Sequence, residues 1–218
     1  MAYANSPDGA AGVLGTPGAS GAAGASGRYL AETIKQSAKI LVVGAFGVGK
    51  TTLIGSVSEI APLRTEEAMT TASVGVDDLA GLGEKRVTTV AMDFGRITVS
   101  PRLVLYLFGM PGQRRFWDLW EGLAEGAVGA LVLADARRLE QSFEVLDQLE
   151  THTAGLPFAI AVNQFPDSPW YGEDELADAL DLPPRTPVTS CDARDRASSV
   201  NALITVVGRA LANQKVPS

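Results

Sequence analysis

The chain has 218 residues, 46% of them hydrophobic, enough for one domain with a sizeable core plus an appendage. With 25 acidic against 18 basic residues it carries a net charge of −7 and offers no basic face to a phosphate backbone, which argues against nucleic acid as a partner. A single cysteine, Cys191, rules out an intramolecular disulfide, and a single histidine, His152, leaves no His/Cys metal cluster.

In chain order, the first feature is compositional. "MAYANSPDGAAGVLGTPGASGAAGASG", Met1 to Gly27, is mostly Gly, Ala and Ser and buries too little apolar surface to offset the entropy of ordering. Residues 1–36 are therefore expected to form a disordered tail and residues 37–215 the folded domain. The N-terminus lacks the charged-then-apolar order of a secretory leader, and no apolar run approaches the roughly 20 residues of a membrane span, so a cytoplasmic location with no direct membrane span is expected.

From there strand and helix periodicities alternate. "KILVVG" (39–44) reads as a buried strand and "KTTLIGSVSEI" (50–60) as a helix. "RVTTVAMDFGRITV" (86–99) and "RLVLYLFG" (102–109) are strand-like runs separated only by Ser100-Pro101, which predicts an antiparallel hairpin at the sheet edge. A helix over 114–124, a strand over 127–135, a helix over 139–152 and a strand over 157–163 follow. A short helix over 173–180, a strand over 187–191 and a last helix over 196–213 complete the chain. Six strands alternating with helices predict an α/β fold, a mostly parallel sheet covered on both faces. Ligands in such sheets sit at the carboxyl ends of the strands.

The junction "VGAFGVGKTT" carries the clearest chemistry. Gly44, Gly49, Lys50 and Thr51 satisfy G-x-x-x-x-G-K-[ST] between a strand and a helix, with Gly47 inside the loop and Val48 and Thr52 completing it. Glycines let successive backbone N–H groups curl around an anion, and the helix N-terminus adds partial positive charge. Lys50 is placed to reach β- and γ-phosphates and Thr51 to ligate Mg²⁺. A P-loop nucleoside-triphosphate site is predicted.

Further motifs resemble the small GTPases of the Ras superfamily. "VTTVAMDFG" is similar to switch I, which implies Thr89, or its neighbour Thr88, as the Mg²⁺ ligand that senses the γ-phosphate. "FGMPGQRRFW" is similar to switch II and implies that Gly112 meets the γ-phosphate while Gln113 orients the attacking water. Two departures stand out. Gly109 occupies the place of the aspartate that supports Mg²⁺, with Asp93 on the adjacent strand as an alternative carboxylate or a structural cap. "AVNQFPD" replaces the Asn-Lys-x-Asp base motif: Asn163 is present, Gln164 stands for the lysine, Pro166 for the aspartate, and Asp167 comes one residue late. "SCDAR" resembles the Ser-Ala-Lys element, which implies Ser190, Cys191 and Asp192 near the base. Asp167 and Asp192 are both candidates to read guanine.

Together "AMDFGRI", "LYLFGMPGQRRFW" and "VNQFPD" resemble the conservon GTPases of actinobacteria (CvnD), relatives of the MglA polarity GTPases, over about residues 36–211. That resemblance implies a Ras-like GTPase binding GTP and GDP with Mg²⁺. It further implies a switch hydrolysing GTP slowly within a peripheral complex at the inner face of the membrane. Its partners there would be a Roadblock-fold protein, a sensor-kinase-like protein and a small helix-turn-helix protein. A non-hydrolysing nucleotide-binding scaffold and an ATP-binding protein are the alternatives. Thr89 follows Lys50 by 39 positions, and the intervening insert 63–86 is either an extended switch or a surface elaboration. Arg64, Arg86, Arg114 and Arg115 are candidate internal charge donors, and Phe116, Trp117 and Trp120 form either core or a contact patch.

Overall fold

The computed structural model describes residues 34–61, 63–69, 88–153 and 155–214. The expected tail, up to residue 33, and most of the insert, residues 70–87, lie outside them. Strand β1 (Gln36–Gly44) leads into helix α1 (Lys50–Val57), followed by β2 (Leu63–Met69), β3 (Thr88–Ser100) and β4 (Leu103–Gly109). A 3₁₀ turn (Arg114–Leu119) runs into α2 (Trp120–Ala124), then β5 (Ala127–Ala134), a second 3₁₀ turn (Ala136–Arg138) and α3 (Glu140–Thr153). The chain ends with β6 (Phe158–Asn163), α4 (Glu173–Ala179), β7 (Val188–Cys191) and α5 (Arg196–Gln214).

The seven strands form one sheet in the order β2-β3-β4-β1-β5-β6-β7. From β4 to β7 every neighbouring pair is parallel, whereas β3 pairs antiparallel with both β4 and β2. All six expected strands are present, including the β3–β4 hairpin. The seventh, β2, comes from the insert and pairs outside the hairpin. Its sequence, "LRTEEAM", has two glutamates and no apolar alternation, so nothing in its pattern announced a strand.

The apolar run of β1 explains why it occupies the centre. Ile40 and Val42 point to one face and Leu41 and Val43 to the other, all fully buried. The first face packs under α1 and α5 with Leu53, Ile54, Leu105, Leu203 and Val206. The second packs under α2, α3 and α4 with Trp120, Val145, Leu149 and Leu176. Each such side chain contributes about 1.5–3 kcal/mol by burial, and this double cover requires a strand apolar on both sides. Trp120 is fully buried and Phe116 nearly so, so this aromatic group belongs to the core.

Past α1, the chain covers the part of β3 that β2 leaves open. Glu59 donates its N–H to the Arg96 carbonyl at 2.8 Å, and its carboxylate accepts from the Thr98 N–H at 2.9 Å. These two groups of β3 are thereby taken up within the chain. The carboxyl ends of β1, β4 and β6 converge where the chain leaves β1 for α1, the switch point at which open sheets carry their ligands.

Candidate functional site

The loop from β1 to α1 is built for close approach. Gly44 has φ 147° and Gly49 φ 109°, both in the region that disfavours L side chains. A Cβ on Gly44 would lie 2.5 Å from the Leu133 carbonyl oxygen, and one on Gly49 would lie 2.5 Å from Asn163 Nδ2. Val48 is buried, and its carbonyl accepts a 2.9 Å hydrogen bond from Asn163 Nδ2.

Lys50 folds back into this loop, donating from Nζ to the carbonyls of Gly44 and Ala45, each at 2.8 Å. Burial lowers its pKa to about 8, against the opposing pull of Asp93. A cation held on two carbonyls in a partly dry cleft is matched to an incoming anion, which would restore full protonation.

Thr51, in the first turn of α1, donates its hydroxyl to Asp93 Oδ2 at 2.5 Å. Asp93 is the register partner of Gly109 across the β3–β4 hairpin. A Cβ on Gly109 would stand 3.0 Å from the Asp93 Cβ and 3.0 Å from Ile54 Cδ1. Gly109 thus leaves room for Asp93, and a carboxylate on the neighbouring strand reaches Thr51.

Beyond β4 the chain turns through Met110, Pro111, Gly112 and Gln113 over the same loop. Met110 donates its N–H to the Val42 carbonyl at 2.9 Å, and the Trp120 indole donates to the Pro111 carbonyl at 3.3 Å. Gly112 is pressed against the phosphate loop, since a Cβ there would be 2.6 Å from the Gly44 carbonyl oxygen and 3.0 Å from Lys50 Nζ. Gly47, Gly49, Lys50, Thr51, Thr52, Asp93, Gly112 and Gln113 line one cleft of about 480 Å³. Phe46, 70% exposed at its rim, is an apolar wall that the motif pattern does not mark because its position is a free x.

The cleft does not gather every expected residue. Thr89 pairs with Ala68 in the β2–β3 ladder, and three strand residues separate it from Asp93, about 13 Å along the strand. The side chains of Thr88, Thr89, Arg64 and Arg115 lie outside the described residues, as does Arg86 altogether. Arg114 pairs with Glu144 and lies 5.9 Å from the Trp117 ring centroid.

At the other end of the site, Asn163 joins three loops. Besides its bond to Val48, its Oδ1 accepts from the Ala193 N–H at 3.0 Å, and Gln164 next to it donates its N–H to the Cys191 carbonyl at 2.7 Å. The Asn163 side chain thus meets the segment after β7, while Cys191 is its register partner across β6 and β7. Strand alternation divides β7: Cys191 turns into the core, where burial raises its thiol pKa, and Ser190 lines a hollow of about 130 Å³ with Asn163, Gln164, Trp170 and Leu176.

Asp192 is engaged by Arg194, whose Nε and Nη2 donate to it at 2.8 and 2.9 Å, holding its carboxyl below the usual range. Asp167 is exposed and adopts φ 65°. The Ala193 bond to Asn163 was not readable in the sequence, because it depends on how two distant loops meet.

Comparison with known proteins places this geometry. The sequence model of a family described as "Conserved hypothetical ATP binding protein" matches residues 42–213. An uncharacterized protein of Methanocaldococcus jannaschii is 29% identical over 132 residues, spanning 60% of this chain and 71% of that protein. Among solved structures, the G domain of the T. maritima FeoB iron transporter superposes with a TM-score of 0.57 at 17% identity, covering 80% of this chain and 99% of that one. The cytosolic domain of the same transporter in apo form gives 0.58 at 17% identity, covering 80% of this chain and 64% of that one. Likeness at this identity speaks to the fold alone.

Proposed function

The chain belongs to the family of conserved hypothetical ATP binding proteins and has the fold of a P-loop GTPase domain, and from that premise we propose that it is a nucleotide-dependent switch that binds GTP and GDP and hydrolyses GTP slowly. The observation that carries this reading is the cleft that combines a glycine-lined phosphate loop, Lys50, the Thr51–Asp93 pair and the Gly112-Gln113 turn. Each part answers a need of phosphoryl transfer, which relies on positioning and charge stabilisation.

The donor set suits Mg²⁺. The Thr51 hydroxyl and the Asp93 carboxylate are hard oxygen ligands, and among the described residues no group of three or more His, Cys, Asp or Glu side chains gathers to enclose a metal by itself. An ion shared with phosphate oxygens fits such an open site. Thr51 would hold it, Asp93 would support it, and Thr89 would complete the shell in the triphosphate state. When bound, Mg²⁺ neutralises charge developing on the β- and γ-phosphate oxygens. Lys50 leaves the loop carbonyls for the β- and γ-phosphates, the Gly112 N–H meets the γ-phosphate, and Gln113 orients the water that attacks it.

The resemblance to conservon GTPases supplies the setting of the proposal: a peripheral complex at the membrane with Roadblock-fold, sensor-kinase-like and helix-turn-helix partners. Among the described residues no helix is long and apolar enough to cross a membrane, so attachment in this scheme comes through those partners. A second reading, ATP binding, is favoured by the family's description and by Pro166 standing where a base-reading aspartate is expected.

Single-turnover hydrolysis of GTP with Mg²⁺ tests the switch. The full chain is expected to convert bound GTP slowly, and Gln113→Ala to lower that rate about tenfold or more while nucleotide affinity holds. An unchanged rate removes Gln113 from the mechanism. No turnover by the unaltered chain, even with its partners, replaces the enzyme by a scaffold.

A further inference from the structure

The connection after β6 is a defined turn. The Ser168 N–H donates to the Phe165 carbonyl at 3.2 Å, and the Phe165 N–H donates to the Ser168 hydroxyl at 3.1 Å. Pro166 takes the second position of this turn, where its fixed φ belongs. Asp167 takes the third with φ 65°, a place that favours glycine or asparagine. Aspartate is one of the few non-glycine residues that tolerate this conformation, and the turn's two hydrogen bonds define it.

The turn packs against the 3₁₀ turn that follows β5. The Arg137 guanidinium lies 4.0 Å from the centroid of the Phe165 ring. Arg137 is itself fixed: Nε and Nη2 donate to Asp135 Oδ1 and Oδ2 at 2.9 and 2.7 Å, and its backbone N–H donates to Oδ1 at 3.0 Å. Asp135, at the end of β5, is only 4% exposed. Asp167 also lies close enough for its charge to act on Arg137. A buried carboxylate, a planar cation and an aromatic ring thus form a rigid stack between the end of β5 and the turn that carries Asp167.

We propose that Arg137 is a positioning residue for base selection: locked to Asp135 and stacked on Phe165, it holds the turn so that the Asp167 carboxylate faces the nucleobase. The inference rests on the reading of the cleft as a GTP site. Of the two candidate carboxylates, Asp192 is occupied by Arg194, which leaves Asp167 to accept from the base. A carboxylate only accepts hydrogen bonds, so it matches the two adjacent N–H donors of guanine and opposes the ring-nitrogen acceptor that adenine presents there. A turn released from the stack gains other conformations and loses this discrimination without losing the phosphates.

The test is competition between GTP and ATP for the full chain, read as a preference ratio in wild type, Arg137→Ala, Asp167→Ala and the double variant. Wild type is expected to prefer GTP, and Arg137→Ala to reduce the ratio about tenfold. In the Asp167→Ala background, the same change at Arg137 is expected to have no further effect, because Arg137 acts through that carboxylate. Arg137→Lys is expected to resemble Arg137→Ala, since an ammonium neither forks nor stacks flat. Arg138 also donates to Asp135 Oδ2, at 3.3 and 3.2 Å, so the buried carboxylate keeps a partner in these variants. Tripolyphosphate, which has no base, reads the phosphate half separately, and its affinity is expected to be equal in wild type and Arg137→Ala.

An unchanged ratio in Arg137→Ala, full additivity in the double variant, or loss of tripolyphosphate binding each overturns the positioning role. A wild-type protein that binds GTP and ATP alike overturns instead the guanine reading on which the role rests.

Discussion

At the scale of single residues, Lys50 shows how the site is prepared for its ligand. Burial brings its pKa down from 10.5 to about 8 while its Nζ rests on two loop carbonyls. Between pH 8 and 10.5 the unfolded chain holds a proton that the folded chain does not, so this group's contribution to stability rises with pH through that window. Binding runs the other way, because an anion needs the charged form. With Mg²⁺ chelated, tripolyphosphate affinity is therefore expected to be level below about pH 8 and to fall above it. A flat profile to pH 10, read by calorimetry, would contradict a charged Lys50 in the complex. The phosphate loop was legible in the sequence because its chemistry needs contiguous residues. The Asp93–Gly109 exchange was only half legible, since a cross-strand neighbour depends on register. Likewise, that Ser190 and Cys191 point to opposite sides of β7, and that the segment after them reaches Asn163 through Ala193, depends on how the strand ends meet.

At the scale of elements, the sheet edge is the feature that links nucleotide state to shape. β2 and the first half of β3 form a ladder from Leu63–Phe94 to Met69–Thr88, and Thr89 lies inside it. If Thr89 is to reach Mg²⁺ beside Thr51, the far end of this ladder has to open, whereas the second half of β3 stays clamped by β4 and Glu59. Hydrogen exchange across residues 63–69 and 88–92 is therefore expected to differ between the GDP state and a non-hydrolysable GTP state, with residues 95–100 unchanged. Equal exchange in the two states would separate the insert from the switch. The six regular strands and five helices were readable from periodicity, as was the hairpin from Ser100-Pro101. Two features were not. The segment 114–124 begins as a 3₁₀ turn where a continuous helix was expected, because Pro111 and the Trp120 bond fix its entry. β2 is stabilised by pairing and carries no apolar pattern of its own.

At the scale of the whole molecule, the parallel sheet brings residues far apart in sequence to one edge. β1 supplies the phosphate loop, β3 and β4 supply Asp93 and the Gly112-Gln113 turn, and β6 supplies Asn163, which ties that loop to the segment after β7. The two buried layers hold these strand ends rigidly, so the loops between them can differ with ligand while the frame does not. The central claim is that this edge holds a nucleoside triphosphate through Lys50 and the Thr51–Asp93 pair. The measurement that tests it most directly is calorimetric titration of the full chain with GTP, GDP and ATP, each with and without Mg²⁺, beside Lys50→Ala. The account predicts Mg²⁺-dependent binding, strongest for GTP, that falls at least about a hundredfold in Lys50→Ala. Binding of no nucleotide, or binding indifferent to both Mg²⁺ and Lys50, would contradict it.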